Sequence, residues 1–296
     1  MPIDSPSLSD AINEHQYPHF LCVWPLALRA YHALVHLTTL RSWYVRRAWR
    51  RIETPIPKGA TLLDVGCGSG DHLFYALRRR PDLTGIGIDR SGEAVELCRS
   101  YAEAVGSAGA TFRRQNVDAD SSMPEHDLAL CIGMLQYVVR DAQLLRAIRR
   151  SLSNSGRLLL YLPVRNERIW PIYDRLIEGS EHDYDAVQER RRVYQPDHVR
   201  RLLDTCGFRV VTEESTYGPF GKAAFELHAL ILHGLTRRNV ALKVAASVVG
   251  VVSMPAMLLL MLADYMLPVS RGNGMVVVAA PRRDEEPGIF ESRSRT

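Results

Sequence analysis

No acidic residue occurs between Glu14 and Glu53, yet Arg29, Arg41, Arg46, Arg47, Arg50 and Arg51 all fall within that stretch. Cysteine is scarce too. The five present, at positions 22, 67, 98, 131 and 206, show no paired ligand spacing, so no metal site is expected and a reducing cytoplasm suits the chain. The first residues carry no basic patch ahead of an apolar run, which argues against a cleaved signal peptide. No internal repeat stands out. Net charge is only +4 over 296 residues, too little to imply a general nucleic-acid surface. Apolar residues, at 46%, suffice for a sizeable core in a chain longer than one average domain.

The most specific local pattern is Leu62-Leu63-Asp64-Val65-Gly66-Cys67-Gly68-Ser69-Gly70. An apolar strand ends on an acid and turns through three alternate glycines toward a helix, letting a ligand lie against the main chain. A second acid, Asp89, closes the next apolar strand, Leu83 to Ile88, where a Rossmann-type fold grips ribose hydroxyls. A dinucleotide fingerprint would read G-x-G-x-x-G. Here the spacing is G-x-G-x-G with Asp64 two residues ahead, and a carboxylate there suits an ammonium group better than a pyrophosphate.

At these residues the chain resembles the class I S-adenosylmethionine-dependent methyltransferases, whose first motif is an acid followed by G-x-G-x-G. The resemblance implies S-adenosylmethionine as cofactor and a doubly wound, mostly parallel, seven-stranded α/β sheet. It implies cofactor contacts from Asp64, Gly66, Gly68, Gly70 and Asp89, with Asp118 at the adenine amine, Val117 beside the ring and Met134 near the methionine part. Leu158 to Leu162 would be the fifth strand and Phe208 to Val211 the sixth. Met275 to Ala280 would be the seventh, antiparallel beside the sixth.

Around a core at 58–212, the pattern adds an N-terminal helical extension (1–57), an apolar helical insertion (213–273), a last core strand (274–281) and a tail (282–296) whose charge and serine predict disorder. In the extension, Val45, Ala48, Trp49 and Ile52 share one helical face, leaving Arg46, Arg47 and Arg50 opposite. Such a helix meets anionic lipid headgroups, packs over the cofactor cleft as a lid with its arginines solvated, or does both. The uncharged run Val244 to Leu262 is long enough to span a bilayer. If the last strand rejoins the sheet, however, the chain must cross an even number of times. A shallow helix pair broken near Pro255, an interfacial segment, a buried cap and a dimer interface all remain open.

For the acceptor side, the connection after the fifth strand offers Trp170, Tyr173, His182, Asp183 and Tyr184. His182 is a candidate base, weighed against a solvated charged loop. His72, near the start of the glycine-loop helix, is the second. The expected activity is methyl transfer to an apolar or amphiphilic acceptor, such as a lipid or a prenylated or lipid-linked intermediate. The expected location is the cytoplasmic membrane face, peripheral or monotopic, with the oligomeric state open. A cytosolic methyltransferase of soluble metabolites and a non-catalytic cofactor-binding scaffold are the alternatives.

Overall fold

The computed structural model describes residue 24 and residues 27–54, 56–165, 167–170, 193–236 and 239–282. Helices α1 (Ala27–Thr38) and α2 (Leu40–Ile52) precede β1 (Thr61–Val65), α3 (Asp71–Arg79), β2 (Thr84–Asp89), α4 (Gly92–Ala104), β3 (Ala110–Arg114) and β4 (His126–Ile132). After these come α5 (Asp141–Ser151), β5 (Leu152–Pro163), α6 (Pro196–Thr205), β6 (Phe208–Thr216), α7 (Pro219–Thr236), α8 (Val240–Met266) and β7 (Gly274–Pro281).

The strands form one seven-stranded sheet in the order β3-β2-β1-β4-β5-β7-β6, with β1 to β5 parallel and β7 antiparallel to both neighbours. This is the expected doubly wound architecture. Alternate side chains of the central strands feed two cores, because successive residues of a strand point to opposite faces. Leu62, Leu130, Leu159 and Val276 join α1 to α4 on one face, while Leu63, Cys131, Leu160 and Val277 join α5 and α6 on the other. Every residue of β7 is buried. A strand covered on both faces needs apolar residues throughout, and Met275 to Ala280 supplies them.

Three boundaries differ from the sequence reading. Strand β6 runs on to Thr216, past the boundary at 212, because it pairs with β7 as far as Thr216 opposite Gly274. Helix α5 ends at Ser151, and β5 starts at Leu152, ahead of the apolar run at 158, through an irregular register with β4. Pro255 does not break the insertion into two helices. It lies inside the continuous 27-residue α8, and the helix pair is α7 with α8. A proline there forfeits the bond to the carbonyl four residues earlier and crowds that carbonyl with its ring, and packing against α7 offsets the cost. Small residues at Gly234 against Ala246 and Gly250 against Ile231 let the two helices approach closely. The tail beyond 282 lies outside the described residues.

The hairpin is fastened to the body at one buried carboxyl. Asp264 of α8 is 1% exposed; its Oδ1 accepts from the Gly221 amide of α7 at 2.8 Å, and its Oδ2 accepts from the Tyr44 hydroxyl of α2 at 2.9 Å. Only glycine fits at 221, since a Cβ there would lie 2.6 Å from Asp264 Oδ2. Removing the carboxyl strands the Gly221 amide, while the Tyr44 hydroxyl keeps the Asp264 main-chain carbonyl at 2.7 Å, so Asp264→Ala should cost about 2 kcal/mol and Tyr44→Phe about 1 kcal/mol. Denaturant unfolding would measure both. An unchanged midpoint for Asp264→Ala would show that the clasp contributes nothing.

Candidate functional site

The glycine loop sits where β1 hands over to α3, at the carboxyl ends of the parallel strands, the usual ligand side of such sheets. Gly66, Gly68 and Gly70 all have positive φ, at 73°, 52° and 75°. A Cβ on Gly66 would come within 2.9 Å of Met134, and one on Gly70 within 2.6 Å of the Phe74 ring. Conformation and space therefore both demand glycine. Met134, just beyond β4, lies against Gly66 of the loop.

Asp89 ties the loop to β2. Its Oδ2 accepts from the Gly68 amide at 2.8 Å and its Oδ1 from the Ser91 amide at 2.9 Å. A carboxylate oxygen has two lone-pair directions, so each keeps one for a ligand hydroxyl. Asp64 is different. It is 2% exposed, one of its carboxyl oxygens has no hydrogen-bond partner, and burial, followed by the charges of Asp89 and Asp71, pushes its carboxyl up to about 8. A buried acid with an orphaned oxygen suits a cationic ligand.

Asp118 and Val117 follow β3. Val117 is buried in the core face shared with Ile88 and Leu135, while the Asp118 carboxylate accepts from the amides of Val139 and Arg140 at 3.0 and 3.3 Å. The acid therefore braces the start of α5, with lone pairs remaining. His72 opens α3 with 15% of its side chain exposed, 3.8 Å from Asp71. Burial lowers its pKa to about 4, Asp71 offsetting part of the effect and Arg41 and Arg46 adding to it. It is a neutral hydrogen-bonding group at neutral pH and, before any ligand binds, a weak proton acceptor. His182, with Tyr173, Asp183 and Tyr184, lies outside the described residues. Glu226 of α7 holds the chain after β5, its two oxygens accepting from the Ile169 and Trp170 amides at 2.7 and 2.9 Å.

Two residues escaped the sequence reading. Arg41 of α2 was seen only as part of a basic bias. Its guanidinium would lie 2.7 Å from a Cβ on Gly133, beside Met134; its Nε is buried without a partner, and it has no carboxylate partner among the described residues. Tyr217 is the one described non-glycine residue with positive φ, at 57°, and its hydroxyl accepts from the Arg41 amide at 3.0 Å. Strain of that kind persists where the surroundings over-determine it. The Tyr217-Gly218-Pro219 turn was the available signal.

The arginines of α2 are mostly committed within the chain. Arg46 pairs with Asp71 at 2.9 Å, Arg47 pairs with Glu214, and Arg51 reaches Glu214 at 3.2 Å. His32 of α1 contacts the Ser69 carbonyl through Nε2 at 2.9 Å. Helix α1 thus touches the glycine loop, while the arginines of α2 that the lid alternative left solvated are mostly paired within the chain. A cavity of about 700 Å³ opens elsewhere, between Arg47, Val164, Arg200, Glu213 and Met275 at the β6 edge, with no residue of the glycine loop in its walls.

The residues fit the amino-acid end and ribose of S-adenosylmethionine: an unsatisfied buried acid for the ammonium, a guanidinium that lies over the Tyr161 ring without a carboxylate partner among the described residues for the carboxylate, and Asp89 for the ribose. A family model described as a methyltransferase domain matches residues 56–204. The ubiquinone biosynthesis O-methyltransferase of Aeromonas salmonicida is 28% identical over 160 residues, covering 51% of this chain and 64% of that protein. The chain thus spans less than two thirds of that relative. Among solved structures, a Haemonchus contortus phosphoethanolamine N-methyltransferase in complex with S-adenosyl-L-methionine superposes with a TM-score of 0.60 at 14% identity, covering 96% of this chain and 62% of that one. The [4+2]-cyclase SpnF does so at 0.53 and 19%, covering 81% and 80%. These likenesses show the fold alone.

Asp64 also makes a stability prediction. Its folded pKa lies above its unfolded value, so the native state retains a proton that the unfolded chain releases, and stability falls as pH rises from the ordinary carboxylate range toward about 8. Asp64→Asn removes that penalty. Melting temperature without ligand should rise by roughly 5 °C or more at the alkaline end, with little gain at pH 4. Thermal scans across pH would show it; a gain independent of pH would contradict this account.

Proposed function

Because this chain belongs to the methyltransferase-domain family, we propose that it transfers the methyl group of S-adenosylmethionine to an amphiphilic acceptor at a membrane surface. The observation supporting the cofactor half is the charge arrangement in the cleft: the orphaned Asp64, the Arg41 guanidinium beside Gly133, and Asp89 at the loop. The sulfonium is an activated leaving group. Catalysis then consists largely of aligning an acceptor heteroatom in line with the methyl and excluding water. The α1–α2 lid over the loop serves that exclusion. A proton on the acceptor would pass to His182 or His72, or leave unaided if the acceptor ionises.

The membrane half rests on α8. It is the one helix among the described residues that is long and apolar enough to cross a membrane, and only 11% of its apolar window is buried, which sets it apart from the core helix of a soluble protein. Val244, Val248, Val251, Val252, Leu259 and Met266 are 57 to 76% exposed and lie on one helical face. No charge interrupts that stripe between Lys243 and Asp264. Both ends of the α7–α8 hairpin return to the same sheet, so the core stays on one side, the cytoplasmic one on this reading. The curated relative named for ubiquinone biosynthesis also favours a lipid-like acceptor.

Two experiments test the two halves. Asp89→Ala removes two ribose contacts worth about 1.5 to 3 kcal/mol each and loosens the loop, so calorimetric affinity for S-adenosylmethionine should drop more than tenfold. Arg41→Ala should weaken the same ligand but not its decarboxylated analogue. Wild-type affinity in both variants would end the cofactor assignment. Separately, detergent rather than high salt should extract the protein from membranes, Val251→Lys with Leu259→Lys should render it soluble, and labelled methyl should enter the organic-extractable fraction. Full recovery in detergent-free buffer as a monomer or dimer, with label confined to water-soluble products, would overturn the membrane and acceptor readings.

A further inference from the structure

We propose that a cleft on the outer side of α1 and α2 binds the phosphate-bearing headgroup of an anionic phospholipid, next to the apolar stripe of α8; this rests on the membrane reading above. The cleft encloses about 220 Å³ and is lined by His36, Trp43, Arg46, Arg50, Tyr75 and Tyr265. None of these belongs to the glycine loop or to the ends of β1, β2 or β4. Two guanidinium groups, an imidazole and three aromatic rings line the space, and no carboxylate among the described residues does.

Arg50 is the distinctive member. Its neighbours Arg46, Arg47 and Arg51 are each paired with an acid, whereas Arg50 has no carboxylate partner among the described residues. Its Nη2 donates to the Tyr265 hydroxyl at 3.0 Å and its Nε to the Arg46 carbonyl at 3.3 Å, which holds the exposed guanidinium at the cleft. Arg46, stacked 4.3 Å from the Tyr75 ring centroid, stays put through Asp71. The Nδ1 of His36 is buried without a partner. Burial and the neighbouring Arg46 depress its pKa to about 4, so at neutral pH the ring serves as a neutral hydrogen-bonding group. A guanidinium fork matches phosphate oxygens, and the amphipathic rings of Trp and Tyr prefer the headgroup level of a bilayer.

Position selects a lipid over other phosphates. Tyr265 belongs to α8 and is flanked in sequence by Met266 of the stripe, which is 73% exposed. The Trp43 ring meets Tyr265 edge-on at 5.7 Å. The cleft therefore adjoins the C-terminal end of the apolar face, and stable anchoring generally combines one apolar signal with one electrostatic one.

The test uses the full chain with vesicles of phosphatidylcholine alone and of phosphatidylcholine doped with phosphatidylglycerol. Wild type should bind the doped vesicles more tightly. Arg50→Ala should lose about fivefold on doped vesicles, the effect of one basic residue at an anionic surface, with unchanged binding to phosphatidylcholine and unchanged affinity for S-adenosylmethionine. Arg50→Glu should reverse the preference. Equal binding of wild type to both vesicles, or full preference in Arg50→Ala, overturns the proposal. So does saturable binding of inorganic phosphate through Arg50 without any vesicle preference, which would assign the cleft to soluble phosphates. Failure to bind any vesicle removes the membrane reading of α8 and this proposal together, whereas failure confined to the Arg50 variants removes this proposal alone.

Discussion

Strand β7 occupies a slot between β5 and β6, hydrogen-bonded on both edges and buried on both faces. That placement governs the rest of the C-terminal half. After β6 the chain has to leave the sheet and return to a position one strand inward, so whatever lies between must begin and end at the same rim. The α7–α8 hairpin meets this condition, and Asp264 locks its base against α2. A single crossing of a membrane is incompatible with the pairing of Gly274 opposite both Pro163 and Thr216. The apolar length of α8 must be accommodated on one side of the molecule.

At the same rim of the sheet, the cleft at the carboxyl end of β1 carries unbalanced charge. Asp64, Asp71 and Asp89 gather near the glycine loop, and they are unequally satisfied: Asp89 through two amides, Asp71 through Arg46 at one oxygen with the other making no hydrogen bond, and Asp64 with an unpartnered oxygen and no ion pair among the described residues. Arg41 is left without an acid partner among the described residues although Asp64 is left without a cation. The two stay apart because one is fixed on a buried strand end and the other on the covering helix. On the proposed reading, a zwitterionic ligand bridging them would convert two local costs into binding energy, so the empty site would be less stable than a neutral replacement.

Much of this was legible in the sequence because it is written locally. The glycine loop, the acid closing β2 and the continuous apolar runs of β4, β5 and β7 each carry their signal within a few residues. Partnerships formed over long separations were not legible: Arg47 finds Glu214 167 positions away and Tyr44 finds Asp264 220 positions away, so the basic face of α2 read as lipid-seeking or as solvated on a lid, and its pairing within the chain was missed. A break at Pro255 was among the alternatives because local propensity favours one; packing of α8 along α7 overrode it. The unusual backbone of Tyr217 had only a turn dipeptide to announce it. Arg41 could be distinguished from its five neighbouring arginines only once the fold showed it facing Gly133.

The order of elements along the chain also sets an order in time. Synthesis delivers α7 and α8 before β7, so the greasy hairpin leaves the ribosome while its own docking sheet still has an open gap between β5 and β6. During that interval Asp264 can engage Tyr44 and Gly221, since all three already exist, but the sheet beneath remains unsealed. The nascent protein thus displays its stickiest surface before its core is closed. A lipid surface or a chaperone encountered at that moment would meet α8 first, making the hairpin's destination a matter of kinetics as well as of final stability.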